Sequence, residues 1–478
     1  MLRVLRIQFF ELPMSTRFPF RYGIATLTRL PHLFVQAEVE FSGQHSSVTS
    51  IGLSADGLPP KWFTKDPDTS FEDHDLPEMQ RVIRNAAEVA VDAGAQPTFF
   101  HWWRELYDAQ YHFSQQQQIA PLLIGLGVSL IERAVLDAFC RANGVTVHRA
   151  LRDNLLNVEL GAIRPELTGT QPADFLPAAP LTQVTVRHTV GMADPLTDDE
   201  IRDDERPDDG LPHSLTECIR TYGLTHFKVK LFGDRERDHD RLSRLAEIFA
   251  REVGTALKLS LDGNENFSDI GTLREHWDSH RTDPRLKAMF DRSLLFVEQP
   301  LRRDRTFDEK VGESIASWPN APPLIIDESD AELHSLPDAL RLGYRGTSHK
   351  NCKGIIKGLA NAATIAAVNR GRATCASSAI LSAEDLGNVG PVALLQDLAV
   401  VATLGIRHVE RNGHHYFAGL SMFPRQEQER VLRCHPDLYT RHPSGFPTLA
   451  IRDGMLALTS VVEAPFGIAE HPDVSAFT

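Results

Sequence analysis

The chain has 478 residues, enough for two domains and a large core, and its 42% apolar and 24% charged side chains are those of an ordinary globular protein. Its 50 basic against 64 acidic residues leave a net −14, which argues against nucleic acid or an anionic membrane as partner. No run approaches the roughly 20 apolar residues of a membrane span. The N-terminus, MLRVLRIQFFELP, lacks the form of a signal peptide, and five scattered cysteines without a CxxC pair point to a reducing, cytoplasmic setting rather than a disulfide framework or a zinc site.

Residues 1 to about 65 alternate short apolar runs with turns (VLRIQFFEL, HLFVQAEVEF, SVTSIGL), the pattern of a small antiparallel sheet. From about 76 to 143 the periodicity becomes helical: MQRVIRNAAEVAVDAG is amphipathic, and VSLIERAVLDAFCRANG ends in the C-capping pair Asn-Gly. The glutamines at 115–118 read as a solvated helix or loop. From about 183 onward, eight β-rich runs alternate with helical segments: TVRHTVG, FKVKL, LKLSLDG, LLFVEQP, PLIIDES, GTSHK, ATCASSAI and IRHVE. Such alternation implies parallel strands joined by crossovers, and eight repeats over roughly 250 residues match a closed (β/α)8 barrel of TIM type. An open doubly wound sheet would carry a Gly-rich loop after its first strand, and none is present. The acidic stretch ADPLTDDEIRDDERPDDG (193–210) follows the first of these strands and reads as a solvated loop, placed where a lid could sit. The last stretch, TLAIRDGMLALTSVVEAPFG, reads as a hairpin returning to the N-terminal sheet.

Charged side chains stand where five successive runs give way to loops: Lys228 and Lys230, Asp262 with Asn264, Glu298, Asp327 with Glu328, and Lys350. In a barrel of this kind that rim is where chemistry is built. The successive spacings from Lys230 through Asp262, Glu298 and Asp327 to Lys350 (32, 36, 29 and 23 residues) each fit one strand-helix unit. Strand alternation puts Lys228 and Lys230 on one face, and a ring of eight sets strand two opposite strand six. Asp262, Glu298 and Asp327 then line the arc between the two lysine walls. Three converging carboxylates repel unless a cation sits among them, and oxygen-only donors favour Mg²⁺. A substrate carboxylate on that ion would hold its α-carbon between the lysines. Lys228 and the cation favour a neutral Lys230, as a base requires, and opposed amines permit removal from one face and delivery to the other.

These segments resemble the successive motifs of the enolase superfamily in its mandelate racemase/muconate lactonizing enzyme branch: FKVKL, LDGNENF, VEQPL, IIDES and SHKNCKG. RFPFRYGIATLTR, IERAVLDAFCRANG and TLAIRDGMLAL are similar to its cap loop, last cap helix and closing hairpin, so the resemblance covers nearly the whole chain. It implies an α/β fold, a modified TIM barrel (about 180–440) with an α+β capping domain (1–150, completed by about 445–478). It also implies Mg²⁺ on Asp262, Glu298 and Asp327, with Lys230 and Lys350 as the acid/base pair. Lys228 would tune Lys230, and Asn264 and Glu328 would stand behind the ligands. The implied activity is α-proton abstraction from a small carboxylate, giving an enediolate that a racemase, epimerase, cycloisomerase or syn-lyase would resolve differently. A homo-oligomer is expected.

The chain departs from the branch's relatives in instructive ways. Strand seven, ATCASSAI, has no catalytic His, and strand eight, His408-Val409-Glu410-Arg411-Asn412, lacks the Asp-x-Asp of dipeptide epimerases. Substrate contacts are expected from the cap around Arg21, Tyr22 and Leu53 to Phe63, with Trp62 among them, and from Ser377 and Glu410. The rivals are an acid-sugar dehydratase on the same barrel and a catalytically silent metal- or metabolite-binding barrel. DGNENFSDIGTL opens like an EF-hand loop but has Phe267 and Leu273 where Gly and Glu belong. His414-His415 reads as a surface turn, and Cys352 as an idle thiol.

Overall fold

The apolar alternation of the first sixty residues becomes one long meander. In the computed structural model, which describes residues 1–43, 47–202, 204–371 and 378–477, Leu2–Tyr22 pairs antiparallel with Ala25–Ser42, and that strand pairs with Ser47–Gly57. A two-residue strand, Ala95–Gln96, completes the four-stranded sheet. Val35, Ala37 and Val39 face inward while Gln36, Glu38 and Glu40 stay half-exposed, the period-two pattern of a sheet with one wet face. Helices Leu76–Asp92, Phe99–Gln117 and Pro121–Asn143 cover the other face. The last comes so close that a Cβ on Gly52 would collide with the backbone of Ala134 and Ala138. It ends as its Asn-Gly pair foretells, on Gly144 in the left-handed conformation (φ 60°).

The eight alternating runs form the barrel. Its strands are Gln183–Val190, His226–Lys230, Lys258–Asp262, Leu294–Glu298, Leu324–Ile326, Gly346–His349, Ile380–Ala383 and His408–Arg411, called strands one to eight. All are parallel, each of strands one to six pairs with the next, and strand eight returns to pair with strand one. Strands seven and eight touch, bringing the two ends of the sheet together. Helical crossovers return the chain between strands, the arrangement that parallel order demands. No helix among the described residues is long and apolar enough to cross a membrane.

Two expectations are corrected. Strand seven is Ile380–Ala383, so it begins where the ATCASSAI run ends, and residues 372–377 lie outside the described part. The closing hairpin does not return to the N-terminal sheet. Met455–Ala457 instead pairs antiparallel with Gln183–Thr185, an edge left free because strand two begins only opposite Arg187. Beyond that strand the tail does reach the N-terminal unit: Arg141 Nη2 donates to the carbonyl of Ile468 at 2.7 Å, and the ring of Phe477 lies 4.8 Å from Phe34.

The acidic stretch after strand one is solvated in its middle and tied at both ends. Asp194 is buried, accepting from Gly191 N and Tyr416 Oη at 2.6 Å each. Asp209 receives the Arg17 guanidinium, with Nη2 to Oδ1 at 2.8 Å. Arg17 also donates to the carbonyls of Leu211, Pro212 and His415, which fixes this loop against the first long strand.

Candidate active site

Strands two to five deliver their charged residues by one device, an apolar run whose end is polar. On strand two, Phe227 packs outward on Phe249 (centroids 4.5 Å apart) while Lys228 and Lys230 point inward. Lys230 Nζ donates to Asp262 Oδ2 at 2.8 Å and to Asn264 Oδ1 at 3.1 Å. Lys350 Nζ donates to Asp327 Oδ2 at 2.7 Å. The two amines therefore hold opposite ends of the acidic arc. Asp262, Glu298 and Asp327 lie along it, all buried, and strand pairing sets Asp262 beside Glu298.

Gln299, which follows Glu298 in a left-handed conformation (φ 34°), ties strand four to strand five. Its Oε1 accepts from Asp327 N at 2.8 Å and Ser329 N at 3.1 Å, and its Nε2 donates to Leu301 O, Ser329 Oγ and Thr306 Oγ1. Every polar atom of this side chain is thus used to hold one acidic strand end against the next.

Glu384, just past strand seven, joins the arc without having been anticipated. Its Oε2 accepts from both Lys228 and Lys350 at 2.6 Å, and its Oε1 lies 3.1 Å from Arg187 Nη2. Glu298, Asp327 and Glu384 each offer an oxygen within 4.8 Å of the others. The signal that could have found it is local. Ile380-Leu381-Ser382-Ala383 followed by Glu384-Asp385 has the apolar-run-then-acid form of LLFVEQP and PLIIDES. Lys353, also unanticipated, donates from Nζ to Asp327 Oδ1 at 2.7 Å and to Ser348 O at 2.8 Å.

Charge in this pocket is dense. Burial alone would lower the pKa of Lys228, but Asp262, Glu298, Glu384 and Glu410, each within 3.2 Å of its Nζ, raise it well above the usual lysine value. Lys350 is raised likewise: burial opposes, and Asp327 and Glu384 prevail. These two amines are thus held charged by their carboxylate neighbours. Burial and the nearby Glu384 carboxylate push Glu298 far up, and burial with Asp327, Glu265 and Asp262 lifts Glu328 to about 7.

A divalent cation suits this donor set. Glu298 is fully buried and neither of its oxygens makes a hydrogen bond; its nearest counter-charge is Lys228 Nζ at 3.2 Å. A carboxylate so placed is costly without a cation. The oxygens that converge within 4.8 Å belong to Glu298, Asp327 and Glu384, a set without the expected Asp262, and such hard donors match Mg²⁺.

The cap closes over this floor. Phe20, Tyr22 and Leu27 from the first two strands and Ile24 from the turn between them, with Pro59 and Trp62, form an apolar roof above Lys228, Lys230, Asp262, Asn264, Asp327, Glu328 and Lys350. Lys350 Nζ lies 5.2 Å from the Trp62 ring centre, within cation–π range. Glu410 and Asn412 of the strand-eight end line the same cavity, and Thr189 donates to Glu410. Arg21 does not line it: alternation along the strand turns Phe20 and Tyr22 in and leaves Arg21 exposed. In the 53–63 segment only Pro59, Lys61 and Trp62 reach the cavity, because Leu53 sits in the sheet core. Ser377 lies outside the described residues. His414 and His415 are not a surface turn; a single helical turn, Gly413–Tyr416, carries both into the interior. Cys352 is buried, and burial raises its thiol pKa, as befits an inert side chain.

A parallel barrel beneath an α+β cap is the fold this chain shares with mandelate racemase/muconate lactonizing enzymes. Among solved structures, a mandelate racemase/muconate lactonizing protein from Herpetosiphon aurantiacus matches at TM-score 0.58 and 15% identity, over 96% of this chain and 97% of that one. A dipeptide epimerase from Enterococcus faecalis V583 matches at TM-score 0.57 and 13% identity, over 98% and 100%. An enolase from Bradyrhizobium complexed with magnesium and mandelic acid matches at TM-score 0.55 and 14% identity, over 99% and 98%. No family model matches the sequence, and no curated protein does.

Proposed function

We propose that the chain is an enolase-superfamily enzyme that removes the α-proton of a small carboxylate substrate, as an isomerase of racemase, epimerase or cycloisomerase type or as a syn-lyase. The carrying observation is the placing of Lys230 and Lys350 at opposite ends of one buried acidic arc. Mg²⁺, held by Glu298, Asp327 and Asp262 with Glu384 adjoining, would act as the Lewis acid that makes the α-proton removable. The neighbour complexed with magnesium and mandelic acid supports that choice of ion.

The rest of the chemistry belongs to the side chains. Lys230 and Lys350 stand on either side of the bound α-carbon, one taking the proton and the other able to deliver one. A cation held by these carboxylates would compete with the amines for them and so favour a neutral lysine as base. Lys228 keeps Glu384 and Glu410 at 2.6 and 3.1 Å from its Nζ, so it would stay charged and neutralise part of the developing enediolate. The apolar roof of Phe20, Ile24, Leu27 and Trp62 excludes water and favours a substrate with an apolar body. The strand-eight end, Glu410 and Asn412, would contact the remainder of the substrate.

Incubation of candidate carboxylates with the protein and Mg²⁺ in D₂O tests the reading by mass spectrometry. Deuterium should enter the α-position, and Lys230→Ala and Lys350→Ala should each suppress entry from one face by about 10²–10⁴-fold. Lack of exchange across a broad carboxylate library would instead favour a silent binding barrel, and exchange indifferent to both substitutions would remove the lysines from the acid/base role.

A further inference from the structure

Behind strand one, outside the barrel lumen, lies a second cluster with different donors. Arg187 and Thr189 point into the barrel, toward Glu384 and Glu410, so His188 between them points outward. There it meets Cys218 of helix Leu215–Tyr222 and His415 of the Gly413–Tyr416 turn. One ring nitrogen of each histidine and the Cys218 sulfur lie within 4.8 Å of one another, and all three side chains are at most 2% exposed. We propose that His188, Cys218 and His415 form a three-ligand zinc site, separate from the catalytic arc.

Four observations carry this. Two imidazoles and a thiol are the soft-to-borderline set that zinc prefers, with no hard-oxygen character. Cys218 Sγ to His415 Nδ1 is 3.5 Å; tetrahedral zinc with ordinary Zn–S and Zn–N bonds spaces two such ligands by about 3.6 Å. His188 Nδ1 is hydrogen-bonded to His414 Nε2 at 3.0 Å, a partner of the kind that orients zinc histidines, and the Asp194 carboxylate lies 3.8 Å from His415 Nε2, beyond hydrogen-bond reach. Finally, binding would displace the thiol proton to solvent, leaving Zn²⁺ with one thiolate and the Asp194 carboxylate nearby.

Three protein ligands leave the fourth position to water. Widely separated chain positions explain why cysteine spacing gave no hint. The cluster also seats the cap: Phe18 packs edge-on to His415 at 4.9 Å, and Tyr416 stacks at 3.9 Å on Phe20, which lines the catalytic cavity.

Cobalt titration of the chelator-stripped full-length chain tests the site. Co²⁺ at one equivalent should give a near-ultraviolet thiolate-to-cobalt charge-transfer band with intense tetrahedral ligand-field bands, and Zn²⁺ should abolish both. The carboxylate arc can give no thiolate band. Cys218→Ser should lose the band while its circular dichroism stays native. If that variant does not fold, His415→Gln, which keeps the thiol, should shift the band and weaken Co²⁺ binding by about tenfold or more. No such band in the wild-type chain, or an unchanged band in either variant, overturns the proposal.

Discussion

A single oxygen, Glu384 Oε2, accepts from Lys228 and Lys350 at once. Glu384→Gln would remove one negative charge from the cluster it forms with Glu298 and Asp327. The expected result is Mg²⁺ affinity lower by about 10–100-fold, read by calorimetric titration, with α-proton exchange slowed and partly restored by excess Mg²⁺. An unchanged affinity would mean that Glu384 serves only to pair lysines. At this scale the sequence was legible where an apolar run of β-formers ends in a charge, as at Lys230, Asp262, Glu298 and Asp327, and the strand-helix spacing carried Lys350. Glu384 was overlooked because ATCASSAI reads as strand seven and ends at Ile380, so Leu381-Ser382-Ala383 and the acid that follows fall in the loop beyond it. The sequence misled at His414-His415, where an extended run was assumed and a helical turn forms instead. Arg21 failed for a simpler reason: being near a loop does not say which way a strand residue points.

Among elements, the contact between cap helix Pro121–Asn143 and barrel helix Ile355–Arg370 is made by one buried carboxylate. Glu132 accepts from the N–H groups of Ile355 and Ile356, at 2.8 Å each, at the start of the barrel helix. Burial nonetheless outweighs these bonds and lifts its pKa from 4.5 to about 7. The folded state therefore holds a proton that the unfolded chain releases above about pH 4.5. Stability from this group is full below that pH and lost as the pH rises through 7. Glu132→Gln cannot titrate, so its stability relative to wild type should improve by about 3 kcal/mol between pH 4.5 and 8. Urea unfolding at the two pH values measures this, and parallel curves for the two proteins would refute the assignment. None of this coupling is visible in the sequence, where Glu132 reads only as one charge on an amphipathic helix.

Across the whole molecule, cap and barrel meet at a charged latch. Arg303 donates to Glu265 at 2.8 and 2.9 Å and to the carbonyls of Trp62 at 3.0 Å and Phe63 at 2.6 Å, while Lys65 Nζ lies 3.2 Å from Glu265. The loop that sets Trp62 over Lys350 is thereby anchored to the ends of strands three and four. Arg303→Ala should free that loop, raising KM several-fold with a smaller change in kcat, because the floor of the site is untouched. Equal loss in both constants would show that the latch reaches the reacting groups. The alternation of strands and helices made the barrel legible at this scale, and the meander and capped helices of the first half were equally plain. The destination of the closing hairpin was not, since edge pairing depends on where strand two begins.

Gln299 spends its whole amide on neighbours within the protein and leaves none for a cation or a ligand. Because it is uncharged, the spacing it imposes between Glu298 and Asp327 should be indifferent to ionic strength and to proton concentration. On the proposed reading, the strand ends that Gln299 ties and the apolar roof draw on separate residues, while Glu410 belongs both to the Lys228 cluster and to the cavity wall. New specificities could be installed by rewriting the roof while the platform below is inherited unaltered.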